Sequence, residues 1–456
     1  MTTEQEISRQ VSKIYKNSKP EDIRQMIANH FIPTDIEKKK NAEISTPITL
    51  VDQMIGKFTD EFWTKPRKVF EPCCGKGNFV IAVFDKFFLG LQNTYKDVSK
   101  RCQVIINECI YYADITPLNV FIVTELLKHH VEFYTQGKNT KLTFNQYVGD
   151  TLEIGILQHK DDTVIKNIQN IFNKVDDGFD AVISNPPYQD TKGNNGTLWD
   201  KFVIFSTDTL KSGGYLLMIH PSGWRNVDGK FKKAKKVILS RNLIYLEIHD
   251  SRDGVKTFGC GTRYDWYLLK NESVEKTNTV VRFQDGKVMQ VNLKDVQFIP
   301  NAGYELLKSL YAKDAEDKVD LMYSASLYHH TKDHMNENES SLFKHPVIYT
   351  ISSKGVKRIH YSSKDHGDEG HYGIKKLIWS NGSIETCRSY IDIDGRYALT
   401  QFAYAIADEP DKLPKIQEAF DSKKFRDLMQ FCAVGQQHIN YKVIALFRKN
   451  FYEDFI

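Results

Sequence analysis

The sequence predicts an α/β chain: a doubly wound sheet of seven strands, one of them antiparallel, followed by a mixed α+β domain. Three observations carry this. The apolar run at Val69-Phe70 enters a turn, Gly75-Lys76-Gly77, from which Val80, Ile81, Val83 and Phe84 continue at helical spacing. Strand, glycine turn and helix make half of a βαβ unit, in which glycines let backbone amides approach a ligand closely. Three further apolar runs end on polar residues, at Asp114, at Gly149-Asp150 and at Asn185, and the carboxyl ends of strands are where open α/β sheets bind ligands. Finally, the runs at 243–249 and 263–269 are joined by a stretch too short for a crossover helix, which makes one strand antiparallel.

A length of 456 residues leaves room for two or three domains. We expect a helical segment over 1–45, the α/β domain over 46–271 and the remainder over 272–456. Hydrophobic residues make up 41%, as in a folded soluble protein, yet no apolar run is long enough to span a bilayer. Residues 1–19 are polar and lack the apolar core of a signal peptide. The seven cysteines are an odd number without any Cys-x-x-Cys, which indicates neither a disulfide framework nor a zinc site. The expected setting is reducing and cytoplasmic, in a bacterium or a virus-infected cell. A net charge of +4 is weakly basic, so binding to nucleic acid has to come from patterning. The clearest basic cluster is Lys230, Lys232, Lys233, Lys235, Lys236 and Arg241; a solvated helix face is the equal alternative.

Taken in order, Ile7, Val11, Ile14 and Tyr15 are spaced as on a helix, and Pro20-Glu21-Asp22 reads as the acidic first turn of a second one. Another helix carries Leu50, Val51, Met54 and Ile55, with Thr46 or Thr49 as its cap. Beyond the glycine turn, 102–112 reads as a strand running into Ala113-Asp114-Ile115, and Pro117 suits the first turn of the following helix. An acid at a second strand's end suits acceptance from two ribose hydroxyls; a plain helix cap is the alternative for Asp114, and Glu108 is the rival acid. The run Phe144-Asn145-Gln146-Tyr147-Val148 closes on Gly149-Asp150 as a third strand, with a loop cap as the alternative role of Asp150. One helix is expected within 161–177.

The chain is organised around Asp180-Ala181-Val182-Ile183-Ser184-Asn185-Pro186-Pro187-Tyr188. Prolines cannot continue a ladder, so the strand stops at Asn185. The residue before a proline is held extended, which lets Asn185 Oδ1 and the Pro186 carbonyl converge on one NH2 group as two acceptors. Accepting both protons localises the nitrogen lone pair, which in an aromatic amine is otherwise delocalised into the ring. Pro187 stiffens the elbow, and Tyr188 presents a flat face on which a base stacks for roughly 1–3 kcal/mol. A proline turn that merely closes a strand is the bland alternative. Residues 189–197 read as a mobile loop able to close over a base. A helix with Leu198, Phe202, Phe205 and Leu210 then ends at Gly213-Gly214 as a cap would, before a strand at 215–220.

Asn185-Pro186-Pro187-Tyr188 resembles the catalytic motif of S-adenosylmethionine-dependent amino-methyltransferases. Glutamine-N5 enzymes acting on release factors and some RNA guanine-N2 enzymes share it closely. With Thr46-Pro47-x-x-Leu50-Val51 and Glu71-Pro72-x-x-Gly75-x-Gly77-x-Phe79 upstream, residues 40–270 resemble the γ class of DNA adenine-N6 methyltransferases. The resemblance implies a Rossmann-like sheet and S-adenosylmethionine as cofactor. It places Thr46 against the methionine end, Glu71, Pro72, Gly75, Gly77 and Phe79 in the cofactor loop, Asp114 and Ile115 at the ribose, and Asp150 at the cofactor's adenine amino group. It makes Asn185, Pro186, Pro187 and Tyr188 catalytic and offers Phe258 for the far face of an extruded base, where a core phenylalanine is the alternative. The implied partners are double-stranded DNA with one adenine flipped out and a cognate restriction endonuclease; no metal is implied. RNA or a protein glutamine as substrate, and a catalytically silent nucleic-acid-binding module, are the competing readings.

From about 271 the character changes. Residues 276–292 alternate like a hairpin around Asp285-Gly286, and acids and bases balance from Ser273 onward. Histidines 329, 330, 334, 345, 360, 366 and 371 do not form a zincin pattern, since no glutamate follows the first of the His329-His330 pair. Lys354, Lys357, Arg358, Lys375 and Lys376 interleave with Tyr349, Tyr361, Tyr372 and Trp379, a mixture suited to phosphates and bases. The resemblance places a target-recognition domain here. Ile416, Phe420, Phe425, Leu428, Phe431 and Cys432 predict a closing helical segment.

Overall fold

The computed structural model describes residues 2–19, 22–41, 43–138, 140–156, 163–190, 196–294, 296–435 and 438–456. Pro20-Glu21, the opening of the 161–177 connection and residues 191–195 of the expected mobile loop lie outside these. The chain divides into two compact units, Met1–Trp224 with Lys230–Val296, and Arg225–Gly229 with Gln297–Ile456.

The first unit is α/β, built on one large, mostly parallel sheet. Its strands are β1 (Val69–Glu71), β2 (Ile110–Asp114), β3 (Asn145–Val148), β4 (Phe179–Ser184), β5 (Leu210–Pro221), β6 (Asn242–His249), β7 (Tyr264–Lys270), β8 (Thr279–Arg282) and β9 (Val288–Val291), in the order 3-2-1-4-5-7-6-8-9. Strands β1 to β5 pair in parallel, and β7 runs antiparallel to both β5 and β6. Burial on both faces explains the apolar runs: all six residues of β4 are buried, and Val182 and Ile183 are fully so, each stabilising the fold by roughly 1.5–3 kcal/mol.

Two expectations give way here. The sheet has nine strands, not seven, because the hairpin β8–β9 joins it: Tyr245, Leu246 and Glu247 of β6 pair in parallel with Val280, Val281 and Arg282, and β9 adds a second antiparallel member. Without the hairpin β6 would present an unpaired ladder to solvent. The boundary expected at 271/272 therefore falls inside the first unit, which runs to Val296.

Helices α1 (Thr3–Asn17), α2 (Ile23–His30), α3 (Asp35–Asn41), α4 (Ile48–Ile55), α5 (Asp60–Trp63), α6 (Asn78–Gly90), α7 (Val98–Val104), α8 (Pro117–Thr135), α9 (Thr151–Ile156), α10 (Thr163–Ile171), α11 (Trp199–Asp208), α12 (Lys232–Leu239) and α13 (Ser251–Phe258) complete the unit. The 1–45 segment is no separate body. Ile7, Val11 and Ile14 share one core cluster with Phe84 and Leu126, and the Tyr15 hydroxyl meets the Leu126 carbonyl at 3.1 Å.

Local corrections have local causes. Most of 102–112 is helical, as α7 and a π-helical turn at Ile105–Cys109, and only Ile110 onward is strand; a short run buried on every side does not reveal its period. Gly213-Gly214 lies inside β5 and caps no helix; Gly213 takes φ +74° there. The N-cap of α4 is Pro47, with no side-chain bond, so neither Thr46 nor Thr49 fills that role.

The second unit holds β10 (Asp320–Met322), β11 (Met335–Asn336), β12 (His345–Ile351), β13 (Lys357–Ser362), β14 (Lys376–Ser380), β15 (Ser389–Asp392), β16 (Ala398–Leu399) and β17 (Ala403–Ala407), in two four-stranded sheets ordered 10-17-14-15 and 11-13-12-16. Helices α14 (Tyr304–Ser309), α15 (Leu413–Asp421), α16 (Lys423–Phe431) and α17 (Tyr441–Ile444) accompany them. Between β14 and β15, Lys376 Nζ meets Asp392 Oδ2 at 2.9 Å, with the two side chains 0% and 2% exposed. The ammonium also donates to the His371 and Ile374 carbonyls, and Asp392 accepts from the amides of Arg396 and Tyr397. Every charge in this pair has a partner. No described helix is long and apolar enough to cross a membrane.

Candidate active site

A cavity of about 340 Å³ lies at the carboxyl ends of β1, β2, β3 and β4, and its wall includes Thr46, Glu71, Pro72, Gly75, Phe79, Asp114, Ile115, Asp150, Asn185, Pro186, Pro187 and Tyr188. Four separate strand ends and a segment before α4 thus bring their polar residues to one place. Gly77 and Phe258 are outside the wall. Gly77 is the N-cap of α6 with φ +88°, and a Cβ there would stand 3.1 Å from Val123 Cγ2, so its role is to turn the chain. Phe258 ends α13 with its ring edge-on to Tyr264 at 5.0 Å, packed against the core of the unit.

Asn185 has a fixed orientation. Its Nδ2 donates to Thr46 Oγ1 at 3.0 Å and to the Ile44 carbonyl at 3.2 Å. A backbone carbonyl only accepts, so the second bond decides which end of the amide is the NH2. Oδ1 is left without a hydrogen-bond partner among the described residues, in a residue that lines the cavity beside Pro186. The Thr46 carbonyl accepts from Asn78 Nδ2 at 2.8 Å, which ties the 43–46 segment to the start of α6. Below the bend, Cys73 Sγ and Ser184 Oγ are 3.0 Å apart. Burial pushes the Cys73 and Cys74 thiols well up, which keeps both protonated and unreactive. Tyr188, read from the sequence as a stacking face, is half-buried. Its hydroxyl is buried without a hydrogen bond, and burial, with Cys260 and Tyr264 near it, raises its phenol pKa.

The acids of the cavity differ in how they are held. Asp114 accepts from the Gly75 amide at 2.9 Å, the Thr116 amide at 2.8 Å and Asn119 Nδ2 at 3.2 Å; burial nonetheless raises its pKa. Glu71 is 6% exposed with Oε2 unpartnered, and burial followed by the charge of Asp114 raises its carboxyl well above the usual range. Asp150 Oδ1 accepts from the Leu152 amide at 3.0 Å, at the head of α9. Glu108, the rival acid, sits in the π-helical turn before β2 and is not on the wall. Crowded buried carboxylates, one with an orphaned oxygen, suit a cationic ligand whose charge relieves their repulsion. The half-exposed Ile115 adds an apolar surface at the rim. A volume of this size falls in the range of about 300–1,000 Å³ usual for small-molecule sites.

Sequence reasoning missed Lys76. Its side chain is buried in the cavity wall, and Nζ meets Glu37 Oε1 at 2.6 Å, Asn119 Oδ1 at 2.7 Å and Glu43 Oε1 at 3.4 Å. The lysine between the two glycines therefore fastens α3 and the 43–46 segment across the glycine turn. These partners lie 33 to 43 positions away along the chain, and no local pattern announces them. Glu43 also lines the cavity, and burial raises its carboxyl.

Residues 108–258 match the family described as Eco57I restriction-modification methylase. The match runs from the turn before β2 to the end of α13 and takes in Asp114, Asp150 and Asn185 to Tyr188. A search of curated proteins finds no match to the sequence. Among solved structures, the chain is similar to the ATP-dependent Type ISP restriction-modification enzyme LlaBIII bound to DNA, with TM-score 0.52 and 11% identity over 91% of this chain and 39% of that one. It is similar to DrdV in a DrdV–DNA complex, with TM-score 0.51 and 10% identity over 95% and 59%. It is also similar to a nuclease-deletion mutant of the Type ISP restriction-modification enzyme LlaGI in complex with a DNA substrate mimic, with TM-score 0.51 and 10% identity over 93% and 48%. At such identities the likeness is one of fold, and this chain spans 39% to 59% of those chains. By sequence, then, the segment from 108 to 258 is similar to the Eco57I restriction-modification methylase family, and by fold nearly the whole chain is similar to two Type ISP restriction-modification enzymes.

Proposed function

We propose that this chain is a site-specific DNA adenine-N6 methyltransferase of a restriction-modification system, with S-adenosylmethionine as methyl donor and an adenine flipped out of double-stranded DNA as acceptor. The observation that carries the reading is the locked Asn185 amide, whose free Oδ1 lines, with Pro186, the same cavity as the glycine turn and the acidic strand ends. The cofactor supplies an electrophilic methyl group on a positively charged sulfur. Glu71 and its neighbouring acids favour that positive charge, Asp114 accepts from the ribose hydroxyls, Asp150 takes the adenine amino group, and Thr46, Pro72, Gly75, Phe79 and Ile115 shape the remainder.

Extruding a base from a duplex costs a few kcal/mol, offset in part by stacking on Tyr188, worth roughly 1–3 kcal/mol. Asn185 Oδ1 and the Pro186 carbonyl accept the two N–H bonds of the target amine, which localises the nitrogen lone pair toward the methyl donor. As the nitrogen gains positive charge, the two carbonyl dipoles stabilise it without having to reorient. No strong base is required, since the leaving thioether is neutral and the methylated nitrogen loses its extra proton readily to water. Residues 297–456 would carry target recognition, and a restriction endonuclease activity would be the partner of the modification.

The test is transfer of a labelled methyl group from the cofactor to duplex DNA, RNA and a release factor in parallel. Label in duplex DNA, recovered as N6-methyladenine after digestion, is the expected result. Label only in RNA or in glutamine overturns the substrate, and a protein inert on all three is a silent module.

A further inference from the structure

We infer that α12 and the residue before its cap grip the phosphate backbone of the duplex beside the cavity, an inference that rests on the DNA reading above. Between Gly229 and Leu246 the chain holds six cations and no acid. The helix buries Ala234, Ile238 and Leu239 and leaves Lys232, Lys233 and Lys236 exposed. These three lysines have no ion pair among the described residues, and no carboxylate stands within the run to neutralise them. Two of them occupy the first turn, where the helix dipole disfavours positive charge, and the N-cap Phe231 offers no side-chain bond in compensation. The arrangement works against the helix itself and suits an external polyanion. Its apolar side is already packed, which leaves nothing to insert into a lipid surface.

Position supports the same conclusion. β5 runs parallel to β4 with Ser184 opposite Met218, so Pro221 ends it on the sheet edge that carries Asn185. The Phe231 ring lies 4.5 Å from that of Trp199, the first residue of α11, and the neighbouring Leu198, Lys201 and Phe202 line the cavity. Lys201 is itself exposed. A base that enters the cavity stays joined to its backbone, so flanking phosphates cross this rim and meet Lys201, Lys230, Lys232, Lys233 and Lys236.

The test is the charge reversal K232E/K233E/K236E in the full chain, against K96E/K100E/K141E, which carries the same change in charge on exposed residues ahead of β2 and β3 at the opposite sheet edge. Binding to a short duplex is measured over a salt series, with kcat and KM for DNA and calorimetric cofactor affinity alongside. The α12 variant should bind the duplex at least about tenfold more weakly at about 0.1 M salt, and its salt slope should fall by about 2 to 3, at about 0.9 for each phosphate left without its lysine. Its kcat at saturating DNA and its cofactor affinity should stay within about twofold of wild type, and the neutral K232Q/K233Q/K236Q should fall between. If wild type methylates duplex DNA while both reversals bind it alike, the α12 assignment is wrong and the enzyme reading stands. If wild type neither binds nor methylates a duplex, both are wrong.

Discussion

At the scale of single residues, the site is decided by an amide whose two ends have been told apart. Asn185 donates to Thr46 and Ile44 and presents its oxygen alone, so Asn185→Ala should lower kcat by at least about a hundredfold, as when an oxyanion-hole donor is removed, with cofactor affinity unchanged by calorimetry. Thr46 acts through Asn185. Thr46→Val removes one hydrogen bond, worth about 1 kcal/mol, and should reduce kcat by about fivefold while KM for DNA holds; Thr46→Ser should restore it. Loss of cofactor affinity in Thr46→Val, with kcat intact, would leave the hydroxyl a cofactor contact with no part in orienting Asn185. Asp114→Ala should weaken cofactor binding, and an unchanged calorimetric affinity would move the ribose contact to another acid. Asn185 to Tyr188 and the glycine turn were legible because a strand stop and a glycine turn are written in consecutive residues. Lys76 was not, because its partners Glu37 and Glu43 arrive from far along the chain.

At the scale of elements, burial hides periodicity and also sets titration. The stretch 102–109 is apolar whether helical or extended, and only the structure shows that α7 and a π-helical turn precede β2. Near the end of β5, His220 is fully buried, its ring stacked on Trp199 at 4.3 Å. Nδ1 faces the Pro221 carbonyl at 3.0 Å and Nε2 the Tyr267 hydroxyl at 3.2 Å. The carbonyl only accepts, so Nδ1 carries the hydrogen and Nε2 accepts from the tyrosine, which holds the ring neutral. Burial pushes the pKa down to about 4, below the unfolded value of about 6.5. The unfolded chain therefore binds the proton more readily, and the stability contribution, intact above about pH 6.5, is lost as pH falls through about 4, a change of about 3 kcal/mol. Denaturant unfolding of wild type between those pH values should show that loss, and His220→Phe should flatten the profile. An unchanged slope in the variant would assign the acid sensitivity to other groups.

At the scale of the whole molecule, the two units have separate hydrophobic clusters, and the second also buries an ion pair between two neighbouring strands. Asp392→Ala leaves the Lys376 ammonium buried without its counter-charge and should destabilise that unit by about 3–5 kcal/mol, read from its urea transition. A shift under about 1 kcal/mol would mean that water reaches the lysine. Burial lowers the Lys376 pKa although Asp392 opposes it. The fold class was legible because strand ends, glycines and prolines punctuate the chain. The place where one unit gives way to the next was not, because the hairpin β8–β9 looks the same in sequence whether it extends an existing sheet or opens a new one.

The fastening of residues 37–46 has a practical consequence for anyone trimming the chain. A fragment begun at Pro47 would retain every strand and all of the Gly75-to-Tyr188 signature, and would pass any alignment-based check. It would nevertheless strand the amine of Lys76 away from both carboxylates and free the Asn185 side chain to swivel. Stripped as well of Ile7, Val11 and Ile14 from the shared core, the shortened protein should be both less stable and less active.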